Sequence, residues 1–250
     1  MLAGNIDQVV TLLDGIIADY REQRSTLAFF PALYRAVTLR VRTGIHNGLF
    51  ADGQRMNRLD TEFANRYFVA LDTWRQSGEV PRAWRTAFAL EKRPSTMILQ
   101  HVLLGMNAHI NFDLPVATTA VSADAGLPGL RGDFLVINDI LAGALDEVQG
   151  VVNQFSPLLD VLDRVGGRTD ETLCTFSITN ARDEAWHEAT RLAAESEESR
   201  KRSILSLDRR VAMLGERIVV PGGPCGVAID LIARTENSDV KAIVDALVAV

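Results

Sequence analysis

Apolar residues recur at helical spacing along almost the whole chain, and this pattern constrains the fold more than any other feature. The clearest case is the segment 57–77, ended by Gly78, in which one stripe of a helix is apolar: Leu59, Phe63, Tyr67, Ala70, Leu71 and Trp74. We find no alternation of strands with helices and no internal repeat. The pattern therefore predicts an all-α fold, a single-domain bundle over residues 1–250 with about nine or ten helices around a central buried helix.

Prolines, glycines and capping residues set the expected boundaries of the other helices. Pro81 opens a short helix, Pro94 ends it, and Asp133 is predicted to cap a long apolar helix. Loops or turns are expected at 51–56, 121–132 and 220–226. The predicted helices are 5–23, 25–49, 57–77, 81–93, 95–113, 133–152, 156–167, two or three pieces within 169–218, and two short segments near the end of the chain.

Charge and composition narrow the function classes. The 250 residues are 47% hydrophobic, enough for a substantial core, and carry a net charge of −6. This acidic balance argues against a general nucleic-acid binder, and no apolar run is long enough to predict a membrane span. Cys174 and Cys225 predict reduced thiols in a cytoplasmic protein rather than a disulfide framework. The apolar C-terminus, 243–250, is expected to pack either on the chain itself or on a second subunit of a homo-oligomer.

One stretch departs from helical spacing, the segment 103–115 with the sequence LLGMNAHINFDLP. From Asn107 onward polar and apolar residues alternate, and on a strand this would place the polar side chains on one face. The preceding residues, MILQHVLLGM, are apolar all round, follow a Pro-Ser cap, and join Asn107 without a turn signal. We therefore predict a helix through about Asn111 that ends near Asp113, with Pro115 blocking its simple continuation.

On a helix, the polar residues of this stretch form two rows. Asn107 and Asn111 fall on one side, and His109 and Asp113 fall roughly opposite them. Such a helix suits a central position, buried on most sides, with polar groups facing an internal cleft. A carboxylate beside an imidazole raises its basicity and fixes its tautomer, so His109 and Asp113 suit a general base as well as a metal site. For the asparagines, core hydrogen bonding and ligand orientation both stay open.

His101 is a further catalytic candidate. It precedes His109 by eight positions, which is about 12 Å along a regular helix. Because metal–nitrogen distances are about 2.1 Å, the two histidines are not expected to bind one ion, but they could line opposite ends of one pocket. The alternative is a core histidine among leucine and valine side chains. No role is assigned to His46 or His187.

Two segments of the chain, QHVLLGMNAHINFDLP and the upstream FADGQRMNRLDTEFANRYFVAL, resemble the bacterial and fungal family catalogued as domain of unknown function 5995. That family is marked by an N-A-H motif and a nearby D-L pair. The resemblance covers about residues 25–220 and carries no established activity. It adds Asp60 and Arg66, which lie in the upstream segment, to Asn107 and Asn111 as candidate substrate-binding residues.

A weaker similarity links AHINFDLP to the zinc-dependent phospholipase C and single-strand nuclease superfamily. Members of that superfamily are all-α and build a multi-zinc cluster from His and Asp side chains, so the similarity implies that His109 and Asp113 bind metal. This chain has four histidines and no N-terminal Trp ligand. The similarity therefore implies one ion or a dinuclear site, with Asp60, Asp52 or Asp139 as further carboxylate ligands.

Together these features predict an enzyme that acts on a small molecule in a polar pocket between helices, with His109 and Asp113 at its centre. If a divalent ion such as zinc, manganese or iron is bound, the expected reaction is hydrolysis by an activated water. If none is bound, His109 is expected to act as a general acid or base in a lyase, cyclase or isomerase. Two alternatives are a non-catalytic helical protein that binds a small molecule and a purely structural polar network.

Overall fold

The computed structural model of the chain describes residues 2–93, 95–122, 126–156, 158, 178–220 and 222–250. Every regular element within these residues is helical, which confirms the predicted all-α fold. No helix in these segments is both long enough and apolar enough to cross a bilayer. The predictions for a helix over 156–167 and for Cys174 fall outside the described residues, Ser156 and Leu158 apart.

Eleven α-helices form in the described segments, slightly more than the sequence predicts. They are α1 (Ile6–Glu22), α2 (Phe29–His46), α3 (Gly53–Arg75), α4 (Arg82–Ala89), α5 (Ile98–Met106), α6 (Leu114–Val121), α7 (Arg131–Phe155), α8 (Ile178–Ala194), α9 (Glu197–Val219), α10 (Gly223–Thr235) and α11 (Val240–Val248). A π-helical segment, Asn107–Asp113, joins α5 to α6 without a break. Short 3-10 turns cover Thr26–Ala28, Leu90–Lys92 and Pro128–Leu130.

Several predicted boundaries are wrong. The turn predicted at 220–226 is too long, because α10 already begins at Gly223. Three others are wrong because side-chain capping and proline placement differ from the simplest case. Helix α3 begins at Gly53, inside the predicted turn, because Asp52 accepts a hydrogen bond from the Arg55 amide at 2.9 Å. Asp133 lies inside α7, and its carboxylate accepts from the backbone amides of Ala51 at 2.7 Å and Asp52 at 2.9 Å. Pro115 does not end the central helix but lies in the first turn of α6, where its missing N–H is tolerated.

The central helical run, from Ile98 to Val121, is the buried helix predicted from the sequence. Every residue from Gln100 to Ile110 is buried. Helices α2, α3, α4, α8 and α9 all pack against this run. Polar side chains inside it therefore face other helices rather than solvent, and each needs a partner inside the protein.

Gly105 allows the closest approach between α5 and α2. A Cβ atom at this position would lie 2.3 to 2.6 Å from three atoms of Phe30. Since no side chain fits there, the Phe30 ring rests directly on the backbone of α5. The same ring contacts His109, with ring centroids 5.6 Å apart, so this close packing also positions the site.

Candidate active site in an apolar cavity

The π-helical segment sets the geometry of the site. Its wide turn is closed by the Leu114 amide, which donates to the carbonyl of His109, five residues earlier. Pro115 follows directly and has no N–H with which to continue the α-helical pattern. Single wide turns of this kind occur frequently at functional sites, where they redirect side chains.

The two asparagines of this segment form hydrogen bonds that hold it against α9, and they do not line the cavity described below. Asn107 is buried and donates through Nδ2 to the Val211 carbonyl at 3.0 Å. Asn111 donates to Asn107 Oδ1 at 2.9 Å. These hydrogen bonds satisfy the Asn107 amide on both sides and hold the central run against α9.

The other row forms a histidine–aspartate pair. His109 Nδ1 lies 3.2 Å from Asp113 Oδ2, and the same oxygen accepts a hydrogen bond from Trp84 Nε1 at 2.9 Å. Arg66 Nε lies 3.4 Å from Asp113 Oδ1 as an ion pair. Because a carboxylate only accepts hydrogen bonds, we assign the imidazole proton to Nδ1, which leaves Nε2 as an acceptor.

Trp84 reaches Asp113 because α9 caps the helix that carries it. Asp208, in α9, accepts hydrogen bonds from the backbone amides of Arg82 at 2.9 Å and Ala83 at 3.0 Å. These are the first two amides of α4, which otherwise lack partners inside the helix. The cap fixes the start of α4 and therefore the position of the indole ring one residue later.

Aromatic rings enclose His109. Phe63 stacks on the imidazole with ring centroids 3.5 Å apart and planes 9° from parallel, and Tyr34 meets it edge-on at 4.5 Å. Burial among these rings lowers the pKa of His109, and Asp113 only partly offsets that effect by favouring the imidazolium. His109 is therefore neutral at neutral pH. Its Nε2 atom is buried and has no hydrogen-bond partner among the described residues.

His109 lines a partly open cavity of about 80 Å³ between α2, α3, the central run, α7 and α8. This volume is several times what one water molecule needs. The lining residues are apolar except Tyr34, Asp60, His109 and Arg182. The wall is thus much less polar than the pocket that the sequence predicts, although the predicted central residue, His109, does line it.

Asp60 and Tyr34 bring two more unpartnered polar atoms to this cavity. Asp60 Oδ2 and the Tyr34 hydroxyl are buried and have no hydrogen-bond partner within the described part of the chain. Burial raises the pKa of Asp60 to about 7. Burial, and after it the charge of Asp60, raises the pKa of Tyr34 well above its ordinary value, and the nearby Thr38 side chain opposes this only in part. The Tyr34 and Asp60 side chains therefore lie close enough to interact.

His101 lies away from this cavity. Its Nε2 atom is 2.9 Å from the Thr96 hydroxyl, its ring meets Phe29 edge-on at 5.8 Å, and burial lowers its pKa to about 4. It lines a different pocket, near the start of α11. The structure therefore does not bring His101 and His109 to one site.

The remaining candidates lie outside the cavity. Arg66 lines an outer pocket, and it pairs with Oδ1 of Asp113, whereas His109 contacts Oδ2. Asp52 caps α3, and Asp139, His46 and His187 are exposed. No three His, Cys, Asp or Glu side chains come together to hold a metal ion among the residues that the structure describes. Within the cavity, His109 and Asp60 are the candidate donors.

Several residues that form the site are not predicted from the sequence. Trp84, Tyr34 and Phe63 carry no signal beyond helical apolar spacing, which is equally typical of core packing. Arg182 lies in a charged segment that reads as a solvated helix face, yet it is 4% exposed and lines the cavity. Only the three-dimensional packing identifies these residues.

Comparison with protein families gives a match over most of the chain. A family model described as a family of unknown function, DUF5995, matches residues 6–221. No curated protein and no solved structure matches the chain. The similarity to the zinc-dependent superfamily therefore stays a prediction.

The matched range contains every element that lines the cavity, from α2 to α8, together with both segments on which the resemblance rests. The chain belongs to the DUF5995 family.

Proposed function

We propose that this chain is an enzyme that binds a small, largely apolar molecule in the cavity and moves a proton on it, with His109 as the general base. One observation carries the proposal. Three buried polar atoms without a partner among the described residues, His109 Nε2, Asp60 Oδ2 and Tyr34 Oη, belong to side chains that line one apolar cavity. A buried polar atom without a hydrogen bond destabilises the fold by about 1–3 kcal/mol, and one ligand with polar groups could form hydrogen bonds with all three atoms.

His109 has the features of a base. With Nδ1 donating to Asp113, the Nε2 lone pair is the part of the ring that can accept a proton from the ligand. The imidazolium that forms is stabilised by the Asp113 carboxylate, which Trp84 holds in place. We assign Asp113 to orienting and stabilising His109.

Asp60 supplies the matching acid. Because burial raises its pKa to about 7, a large fraction of Asp60 is protonated at neutral pH and can donate a proton while His109 accepts one. The Tyr34 hydroxyl would orient the ligand through a hydrogen bond. Simultaneous removal and donation of a proton is the chemistry of an isomerase, lyase or cyclase, and it needs no metal ion.

Metal-dependent hydrolysis is the second candidate. His109 Nε2 and Asp60 Oδ2 are the atoms that would hold a divalent ion, since both lack partners among the described residues and both side chains line the cavity. Water or substrate would complete the coordination. Such an ion would lower the pKa of a bound water and supply a hydroxide nucleophile.

The test is conversion of small molecules by the purified chain. Wild type, His109→Gln and His101→Gln are each incubated with a metabolite extract, and mass spectrometry follows which compounds disappear and which form. His101→Gln is the matched control, because it removes a buried histidine outside the cavity. We expect conversion by wild type and His101→Gln and its loss in His109→Gln. Equal conversion by His109→Gln and wild type would contradict the proposal.

Metal analysis of the same samples separates the two candidates. Conversion that survives a chelator, in protein without a stoichiometric metal ion, supports proton transfer by His109 and Asp60. Zinc, manganese or iron near one equivalent, lost in His109→Ala together with activity, supports hydrolysis. A compound that binds wild type without being converted would instead favour the non-catalytic binding protein.

A further inference from the structure

Arg182 is a buried cation on the wall of the cavity. It lies in α8 and is 4% exposed. Its Nε donates to Asn138 Oδ1 at 2.5 Å, its Nη2 donates to the Phe134 carbonyl at 2.6 Å, and the guanidinium lies 4.2 Å from the centre of the Phe134 ring. All three partners are uncharged. These contacts hold the group in place without neutralising it.

No carboxylate forms an ion pair with Arg182 within the segments that the structure describes. Asp183, its neighbour in sequence, forms its ion pair with Arg131 at 3.6 Å, and its charge only partly offsets the effect of burial on the pKa of Arg182. Burial lowers the pKa of Arg182 to about 9, so the guanidinium still carries its charge at neutral pH. A buried charge without an opposite charge costs several kcal/mol, and proteins rarely keep one without a reason.

Arg55 provides the contrast. It is buried to a similar degree, but its guanidinium lies 3.7 Å from the Asp52 carboxylate and 4.0 Å from the Asp133 carboxylate. Its charge is compensated by the protein, and it does not line the cavity. Of these two arginines, only the one that faces the cavity lacks an acidic partner among the described residues.

We propose that the ligand of this cavity is a small monocarboxylic acid with an apolar body, and that Arg182 binds its carboxylate. This inference rests on the proposed function and names its substrate class. The guanidinium is a planar group whose N–H donors match the two oxygens of a carboxylate. With Nε and Nη2 in use, Nη1 is the remaining nitrogen that can donate to the ligand.

The rest of the cavity fits this class of ligand. Phe134, Ile137 and Leu141, on α7 beside Arg182, provide an apolar surface for the body of the acid. One negative charge balances the charge of Arg182 on the cavity wall, whereas a phosphate dianion would leave an excess charge in an apolar cavity. Tyr34, Asp60 and His109 lie on α2, α3 and the central run, whereas Arg182 lies on α8, so the carboxylate and the reacting part of the ligand contact different helices.

Binding of simple carboxylates tests this inference. Butanoate, hexanoate and octanoate are titrated into the full chain by calorimetry, next to the primary alcohols of the same chain lengths. We expect at least one carboxylate to bind saturably and more tightly than its alcohol. In Arg182→Gln the carboxylate should bind about tenfold to a hundredfold more weakly, which corresponds to a charge-assisted hydrogen bond, while the alcohol is unaffected.

Three further variants keep the result interpretable. Arg191→Gln removes an arginine from the same helix that pairs with Glu188 and Glu195 instead, and it should bind the carboxylate like wild type. Arg182→Lys keeps the charge but loses the planar group, so its affinity should fall between those of Arg182→Gln and wild type. His109→Gln should also bind the carboxylate, because Arg182 is intact. Alcohol binding confirms that each variant is folded.

The outcomes separate this inference from the proposed function. No saturable binding of any of the three carboxylates, equal affinity for carboxylate and alcohol, or unchanged affinity in Arg182→Gln overturns the inference. Loss of carboxylate binding in His109→Gln but not in Arg182→Gln also overturns it, since the anion would then bind at the histidine. Carboxylate binding that depends on Arg182, in a protein that converts no metabolite, supports the ligand class while the proposed reaction fails.

Discussion

At the scale of single residues, the site combines groups whose charge states are set by burial. Burial lowers the pKa of His109, so the imidazole is mainly neutral at pH 7, and it raises the pKa of Asp60 to about 7, so about half of this carboxyl group is protonated there. An imidazole that can accept a proton and a carboxylic acid that can donate one are thereby present together. Solvent-exposed His and Asp side chains at pH 7 would not provide this combination.

Asp60 should make stability depend on pH. Its pKa is about 7 in the folded chain and near its ordinary value of 3.8 in the unfolded chain, so the folded state holds the proton over the interval between them. The stabilisation is fully present below about pH 4 and is lost as pH rises through about 7. We expect Asp60→Asn, which cannot ionise, to become more stable than wild type by up to about 4 kcal/mol above pH 7.

Chemical denaturation of both proteins at pH 4, 6 and 8 measures this difference. The advantage of Asp60→Asn should grow with pH from its smallest value at pH 4. A constant difference across the range would show that Asp60 is not ionising from a buried position.

Trp84 should contribute to stability and to turnover through its hydrogen bond as well as through the packing of its ring. Trp84→Phe keeps an aromatic ring but removes the indole N–H that donates to Asp113. We expect a loss of about 1–3 kcal/mol in the free energy of unfolding, because a buried carboxylate oxygen loses a donor. We also expect a large drop in turnover, because Asp113 then orients His109 less firmly.

Trp74→Phe is the matched control, since the Trp74 ring packs against Phe88 and does not donate to Asp113. Trp74→Phe should lower the free energy of unfolding less than Trp84→Phe does, and its turnover should stay near that of wild type. If the two variants behave alike in both measurements, the hydrogen bond to Asp113 has no special role.

At the scale of secondary structure elements, the close contact between α2 and α5 fixes one side of the site. Gly105→Ala would place a methyl group within 2.6 Å of the Phe30 ring and push the two helices apart. We expect a loss of about 1–3 kcal/mol, typical of an overpacked core, together with weaker ligand binding. Thermal or chemical unfolding of the purified variant measures the loss of stability.

Gly15→Ala is the control, because a methyl group at that helical position meets no atom within 4 Å. It should stabilise the chain slightly, by about 0.5–1 kcal/mol, through the better helix propensity of alanine. If Gly105→Ala lowers the free energy of unfolding while Gly15→Ala raises it, packing against Phe30 decides the effect at position 105. A neutral or stabilising Gly105→Ala would contradict the packing described here.

Much of the helical structure is predictable from the sequence. Helical spacing of apolar residues predicts α1, α3 and the buried central run, and spacing by four places Asn107 with Asn111 and His109 with Asp113, as the structure confirms. The π-helical turn is not predictable in this way, because its period differs from that of the α-helix over only seven residues. The same turn explains why Pro115 continues the helix rather than ending it.

At the scale of the whole molecule, the site assembles side chains from elements far apart in the chain. Trp84 and Asp113 are separated by 29 positions, and Arg182 and Phe134, which meet at the cavity wall, are separated by 48. A single sequence contains no signal for such pairings, since they depend on how helices pack rather than on local spacing. The fold class, the family and the His109–Asp113 pair were therefore predictable, whereas the apolar cavity and its buried arginine were not.

Turnover of the whole enzyme should show a bell-shaped dependence on pH. It should decline on the alkaline side around pH 7, where Asp60 loses the proton that it donates. On the acid side it should decline only below the ordinary histidine pKa of 6.5, because burial keeps His109 neutral to lower pH. Initial rates on any substrate found by metabolite conversion provide the profile. An activity that keeps rising above pH 8 would contradict the role of Asp60 as an acid.

The central claim is that His109 presents a neutral, unprotonated Nε2 to the cavity. Nitrogen-15 NMR of the histidine ring in the intact chain measures this directly, with His109→Gln used to assign the signals. At pH 7 we expect one protonated nitrogen, Nδ1, and an Nε2 signal typical of a lone pair, which shifts when a cavity ligand binds. A ring protonated on both nitrogens at pH 7, or one with its proton on Nε2, would contradict the account.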